Sequence, residues 1–167
     1  MFIELLGWFH LVHCPLLILY PIVYSSWLTD VLYIKYFFII MFSYTFIEGE
    51  CPISYAAKVK LDPDYVAGTK IEYYPEMKFI LQDDVYINYY FTINTILYFG
   101  SLFYVSHRAK ISFLFVSVPY AMLLVYFLHI RNIYFKKTTD SFSMLQNLTR
   151  FVLYCYIIIP FTPLEKV

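Results

Sequence analysis

Four apolar runs, each about as long as a bilayer is thick, constrain this chain more than any other feature. A spanning helix needs about 20 mostly apolar residues at 1.5 Å apiece. Runs of that kind occupy residues 3–23, 31–47, 85–105 and 111–130, each bounded by polar or charged side chains. Pro15 and Pro21 lie inside the first run. Proline is tolerated in spanning helices because neighbours re-satisfy the freed carbonyls, so a kink is expected there and not a break. Only 14% of the chain is charged while 61% is hydrophobic, against roughly 25% charged in an ordinary water-soluble domain. The expected fold class is therefore all-α: a polytopic transmembrane helical bundle of about four helices with a small extramembrane loop subdomain.

The chain divides accordingly. Residues 1–47 make a first transmembrane hairpin and residues 85–130 a second. Residues 48–84 hold most of the acidic side chains together with Pro52, Pro63, Pro75, Gly49 and Gly68. That stretch is too polar to cross a bilayer and too long for a turn, which predicts a loop subdomain with short helices over 53–60 and 74–82. In the tail, 131–167, the apolar part at 151–161 is only about 16 Å long as a helix. A start near Ser141 would bury Gln146, Asn147 and Arg150, so an amphipathic or half-inserted tail helix is expected.

Charge and cysteine usage exclude several classes. The net charge is zero and the basic residues are scattered, so the electrostatic footprint of a nucleic-acid binder is missing and no nucleic-acid partner is expected. Cys14, Cys51 and Cys155 form neither an even set nor a Cys-x-x-Cys spacing, which predicts structural thiols, no metal and no cofactor. Glu4, with no lysine or arginine beside it, argues against a cleavable leader and for retention of the first run as an anchor. Neither a phosphate-binding glycine loop nor a nucleophile elbow occurs.

Two polar features sit at membrane depth. Gly7, His10, His13 and Cys14 share one side of the first helix by their spacing of three and four. With Glu4, Glu48, Glu50 and His129 near one membrane surface, His10 and His13 form an alternative polar cluster able to bind zinc or iron or to pass protons. The ordinary reading is a pair of neutral histidines bonded to neighbouring helices. Asn88, Thr92 and Thr95 recur at helical spacing and are expected to face other helices, because an unpaired amide in hydrocarbon costs several kcal/mol.

The sharpest local string is Glu48, Gly49, Glu50, Cys51, Pro52, Ile53, Ser54, Tyr55. Gly49 suits a helix stop, Pro52 a helix start and Ser54 a cap, which reads as a helix-to-helix corner. A histidine in the first helix followed by a Cys-Pro-aliphatic-Ser corner after the second resembles a family of small four-helix membrane proteins without an assigned activity. The match lies in His10 or His13 and in Cys51, Pro52, Ile53 and Ser54, and it implies architecture alone. The richness in tyrosine, phenylalanine and isoleucine, with an acidic loop, also resembles membrane proteins of large DNA viruses of algae and protists.

These readings predict a non-catalytic integral membrane component that contacts the lipid bilayer and other proteins of an assembly, such as a viral membrane or minor capsid protein. Tyr55, Tyr65, Tyr73, Tyr74, Met77 and Phe79 are the expected partner-contact residues, since tyrosine joins large apolar area to one hydrogen-bonding end. The alternative is a membrane enzyme or carrier that uses His10, His13, Glu48 and Glu50 at one membrane face.

Overall fold

The computed structural model describes residues 1–136 and 142–161, without the side chains of residues 129, 131–136 and 142. Seven helices and no strands occur among the described residues. They are α1 (Phe2–Val23), α2 (Trp27–Tyr44), α3 (Pro52–Leu61), α4 (Pro75–Leu81), α5 (Asp84–Arg108), α6 (Phe113–Lys136) and α7 (Phe142–Ile158).

Local chemistry sets the helix ends. The Ser26 side chain accepts from the Thr29 amide (3.3 Å) and starts α2 four residues before its apolar run. After α2 the backbone turns left-handed at Glu48 (φ 53°) and Gly49 (φ 84°), which stops the helix and aims the chain at the next element. Pro52 and Pro75 open α3 and α4, where a missing amide proton costs nothing. Asp83 caps α5 by accepting from the Val85 amide (2.7 Å), and His107 and Arg108 lie in its last turn.

α1 and α2 are long and apolar enough to cross a membrane. In α6 the apolar stretch among the residues with described side chains is Phe113–Leu128, and α5 is diluted by asparagine, threonine, serine and tyrosine. The core lies where α2 meets α5 and α7, with Ile34, Phe37, Phe38, Leu102 and Leu153 sealed from solvent. α1 is different, because only Gly7, His10 and Pro21 are buried along it. Trp8, Phe9, Leu16 and Ile22 are 52, 53, 60 and 80% exposed, so much of the apolar surface of α1 faces away from the other helices.

Polar clusters pin the two ends of the bundle. At one end Arg108 donates to both Asp30 oxygens (2.9 and 2.6 Å) and to the carbonyls of Pro21 (2.6 Å) and Tyr24 (3.0 Å). One guanidinium fork thus ties the α1–α2 corner to the end of α5. At the other end α3 and α4 dock on α1 and α5. Met77 and Ala57 are completely buried there, so this short segment takes its apolar core from the helices beneath it. The carbonyl of Glu76 rests on Gly7, at a position where a β-carbon would collide with it.

Two expectations change. Asn88, Thr92 and Thr95 are exposed, and α5 packs instead through Ile87, Leu102 and Val105 with Tyr90, Asn94 and Ser101 partly covered. Side-chain volume chose that face, and the stripe of small polar groups fell beside it. The tail helix starts at Phe142, and Gln146 is buried, because its amide donates to the Thr45 carbonyl (2.8 Å) left open at the end of α2. Arg150 donates to the same carbonyl. Near its other end α7 receives Lys35 Nζ on the Ile157 carbonyl (2.8 Å).

Candidate functional site

Cys51 is the residue from which the site is built. It is the N-cap of α3, and Pro52 behind it fixes the start of that helix. The first amides of a helix have no intrahelical acceptor and carry partial positive charge. Cys51 is 8% exposed, and its sulfur lies 3.5 Å from His10 Nε2 of α1. The Tyr44 hydroxyl of α2 and the Ser54 amide lie on the same side and favour the charged form of that sulfur.

The opposite ring nitrogen of His10 is held by a carboxylate. His10 Nδ1–H donates to Glu76 Oε1 (3.0 Å), and Ser54 Oγ donates to the same oxygen (2.6 Å). All three residues are buried, with Glu76 completely so. A carboxylate only accepts, so it holds a proton on Nδ1 and aims Nε2 at the Cys51 sulfur, where that nitrogen takes the thiol proton and then donates to the thiolate. Phe91 packs against the His10 ring (4.8 Å between centroids) and limits its rotation.

Burial pushes the Cys51 thiol up, but the His10 ring, the Tyr44 hydroxyl and the Ser54 amide outweigh it and leave the thiol below its ordinary value. A thiol at a helix N-terminus beside an imidazole is the environment in which cysteine becomes a nucleophile. Tyr74, against Phe91 (4.3 Å), moves the other way, raised by burial and by the negative groups Cys51, Glu72, Glu76 and Glu50 around it.

The thiol borders a cavity of about 270 Å³ enclosed by α1, α2, α5 and the Cys51–Pro52 corner. Its walls are mainly aliphatic and aromatic, and Cys14, Asn94 and Tyr98 add polar atoms. The Tyr98 hydroxyl is buried and has no hydrogen-bond partner among the described residues. His13 Nε2 and the Tyr36 hydroxyl, 2.8 Å apart, bridge α1 and α2 at the cavity.

The residues singled out from the sequence separate into three places. His10 and His13 both line the cavity, but neither expected glutamate joins them. Glu50 is buried with Lys58 (2.9 Å), Tyr65 (2.5 Å) and the Gly68 amide (2.8 Å), a lock for the loop subdomain. Glu48 accepts from Gln146 (3.4 Å). The His129 side chain lies outside the described residues. Of the expected contact residues, Met77 is sealed in the core and Tyr74 stacks inward, whereas Tyr73 and Phe79 are exposed and Tyr55 packs near Tyr65 (6.1 Å). Glu76 was not singled out, Ser54 was read only as a cap, and the contact between Cys51 and His10 was not foreseen. The available signal was Cys51 directly before a helix-opening proline, which read as a corner alone. Among the described residues no group of three or more histidines, cysteines or carboxylates is arranged to hold a metal.

No family model, no curated protein and no solved structure matches this chain. The resemblances drawn from the sequence therefore rest on its residues and composition.

Proposed function

We propose that this chain is a multi-pass integral membrane protein with a cysteine-based acyl-transfer site at one membrane surface. The observation that carries the reading is the buried line from Cys51 Sγ through His10 to Glu76, with 3.5 and 3.0 Å steps. In this reading Cys51 is the nucleophile, His10 the general base, and Glu76 and Ser54 position His10. The membrane assignment is supported by α1, whose apolar surface faces outward along most of its length and would be untenable in water.

The chemistry balances without a cofactor. His10 Nε2 takes the thiol proton while Sγ bonds to the carbonyl carbon of an ester or thioester. The Tyr44 hydroxyl and the Ile53 amide, which has no intrahelical acceptor at the start of α3, receive the negative charge that develops on oxygen. As the tetrahedral centre collapses, His10 returns that proton to the departing alcohol or thiol and leaves an acyl group on Cys51. Water or a second acceptor then gives a proton to His10, attacks the acyl carbon and restores the thiol.

Intact-mass spectrometry on protein in lipid nanodiscs, incubated with a fatty acyl thioester, tests this. An acyl adduct at Cys51 is expected, absent in Cys51→Ala and formed slowly in His10→Gln. No adduct, or one formed equally fast without His10, would overturn the reading.

A second reading is the non-catalytic anchor of a larger assembly, such as a virion membrane. Tyr73 and Phe79, 38 and 61% exposed on the loop subdomain, favour it by offering a partner an apolar patch. Copurification of stoichiometric partners that Phe79→Ser releases would support that role.

A further inference from the structure

α1 and α2 are consecutive in the chain, yet they lean on different neighbours: α1 on α3, α4 and α5, and α2 on α5 and α7. The arginine fork at Arg108 holds their far ends together, and the docked α3 and α4 hold α1 at the near end. Between these ties the two helices enclose a slot backed by α5, and this slot is the cavity beside Cys51.

The slot has one reactive end and apolar walls. Cys51 and Tyr44 stand at one end, and Leu17, Tyr36 and Phe99 at the other. Along α2, eight residues separate Tyr44 from Tyr36, a rise of about 12 Å. Ile40, Met41 and Phe91 line the length between. A cavity of about 150 Å³ holds a single benzene, and this one, at about 270 Å³, has room for one narrow chain.

The mouth shows where an occupant comes from. Phe9 and Tyr36 line the cavity and are also 53 and 40% exposed. They lie on the same outer surface as Val12, Leu16, Leu32 and Ile39, all exposed and apolar. In a bilayer that surface faces hydrocarbon, so the slot opens sideways to lipid.

We infer that the substrate of the Cys51 site is a linear acyl chain of medium length or longer, which enters from the bilayer between α1 and α2 and lies along the slot with its carbonyl at Cys51. This rests on the acyl-transfer reading and specifies its substrate class. The chain arrives either as a phospholipid ester or on a soluble thioester carrier, and both present the same acyl group. His13 and Tyr36, bonded across the slot, are the latch that the chain passes. The unpartnered Tyr98 hydroxyl marks the far wall, where it disfavours a second apolar chain.

The test uses the full chain in nanodiscs and reads Cys51 adducts by peptide mass spectrometry. Octanoyl and acetyl thioesters are compared in the wild type and in Ile40→Trp, which fills the slot away from the thiol. The variant should lose octanoyl adduct roughly tenfold or more, because a packed wall does not yield to added volume, and should keep its acetyl rate. Equal effects on both, or no effect on either, would overturn the proposal. Octanoyl phospholipid in the disc, offered alone, distinguishes a lipid source from a carrier source. If Ile40→Trp misfolds, Leu17→Phe at the far end makes the same comparison. A diazirine-bearing free fatty acid separates the slot from the chemistry. Crosslinks at Leu17 and Phe99 without any acylation would retain the slot and reject the nucleophile, whereas crosslinks confined to outward residues such as Leu5 and Ile22 would reject the slot.

Discussion

Glu50 and Lys58, eight residues apart, form an ion pair from which water is excluded: Nζ lies 2.9 Å from Oε2, and the side chains are 0 and 2% exposed. Lys58 also donates to the Lys70 carbonyl (2.6 Å), and Glu50 accepts from Tyr65 and the Gly68 amide. Tyr65, Gly68 and, through Lys58, Lys70 of the loop between α3 and α4 thus close on one carboxylate. Removing one partner strands a buried charge, which costs about 3–5 kcal/mol. Lys58→Met should therefore expose residues 52–82 to hydrogen exchange while the centres of α2 and α5 stay protected. The double variant Glu50→Leu with Lys58→Met should recover part of that loss.

Gly7 supports the site from α1. Glycine to alanine inside a helix normally stabilises by about 1 kcal/mol. Here the new β-carbon meets the Glu76 carbonyl, so Gly7→Ala should displace α4, draw the carboxylate away from His10 and slow alkylation of Cys51 by iodoacetamide. A faster or unchanged rate in Gly7→Ala would contradict this packing.

The reactivity of Cys51 should report its neighbours through pH. Burial raises the thiol, and the His10 ring leads the groups that offset it. Without the ring the thiol loses the largest of those offsets. The pH profile for alkylation of Cys51 should move to higher pH in His10→Gln, and by a smaller amount in Glu76→Gln, where the ring stays but loses its orienting bond. A general loss of structure would slow the reaction without moving the midpoint in that order.

Tyr65 gives the loop subdomain an alkaline limit. Burial and then its bond to Glu50 raise the hydroxyl from 10.0 to about 12. A raised folded value stabilises the protein fully below the unfolded value and loses that contribution as pH passes the folded one. The wild-type subdomain should therefore loosen between about pH 10 and pH 12, as followed by tyrosinate absorbance and proteolysis. Tyr65→Phe should be weaker at neutral pH and should lack that component.

What the sequence by itself determined is the set of helices and the corners between them. Long apolar runs bounded by polar residues placed α1, α2, α5 and α6, and α1 and α2 are long and apolar enough to cross a membrane. Pro52 and Pro75 marked the starts of α3 and α4 because proline costs nothing at a first helical position. The loop's lack of a core of its own was also legible, and Met77 is buried as that implies. Tertiary structure alone decided which faces meet. On α5, helical spacing grouped Asn88, Thr92 and Thr95 correctly as one stripe, but where most faces are apolar no period says which is turned inward. The partner of His10 was hidden for the same reason. Glu48, Glu50 and Glu76 are equivalent carboxylates in the sequence, and Glu76 reaches the ring because Gly7 lets α4 lie against α1. Glu50, one residue before Cys51, is held by Lys58 instead. The site depends on contacts between residues 41 and 66 positions apart, and such contacts are set by packing volume, which local patterns do not encode.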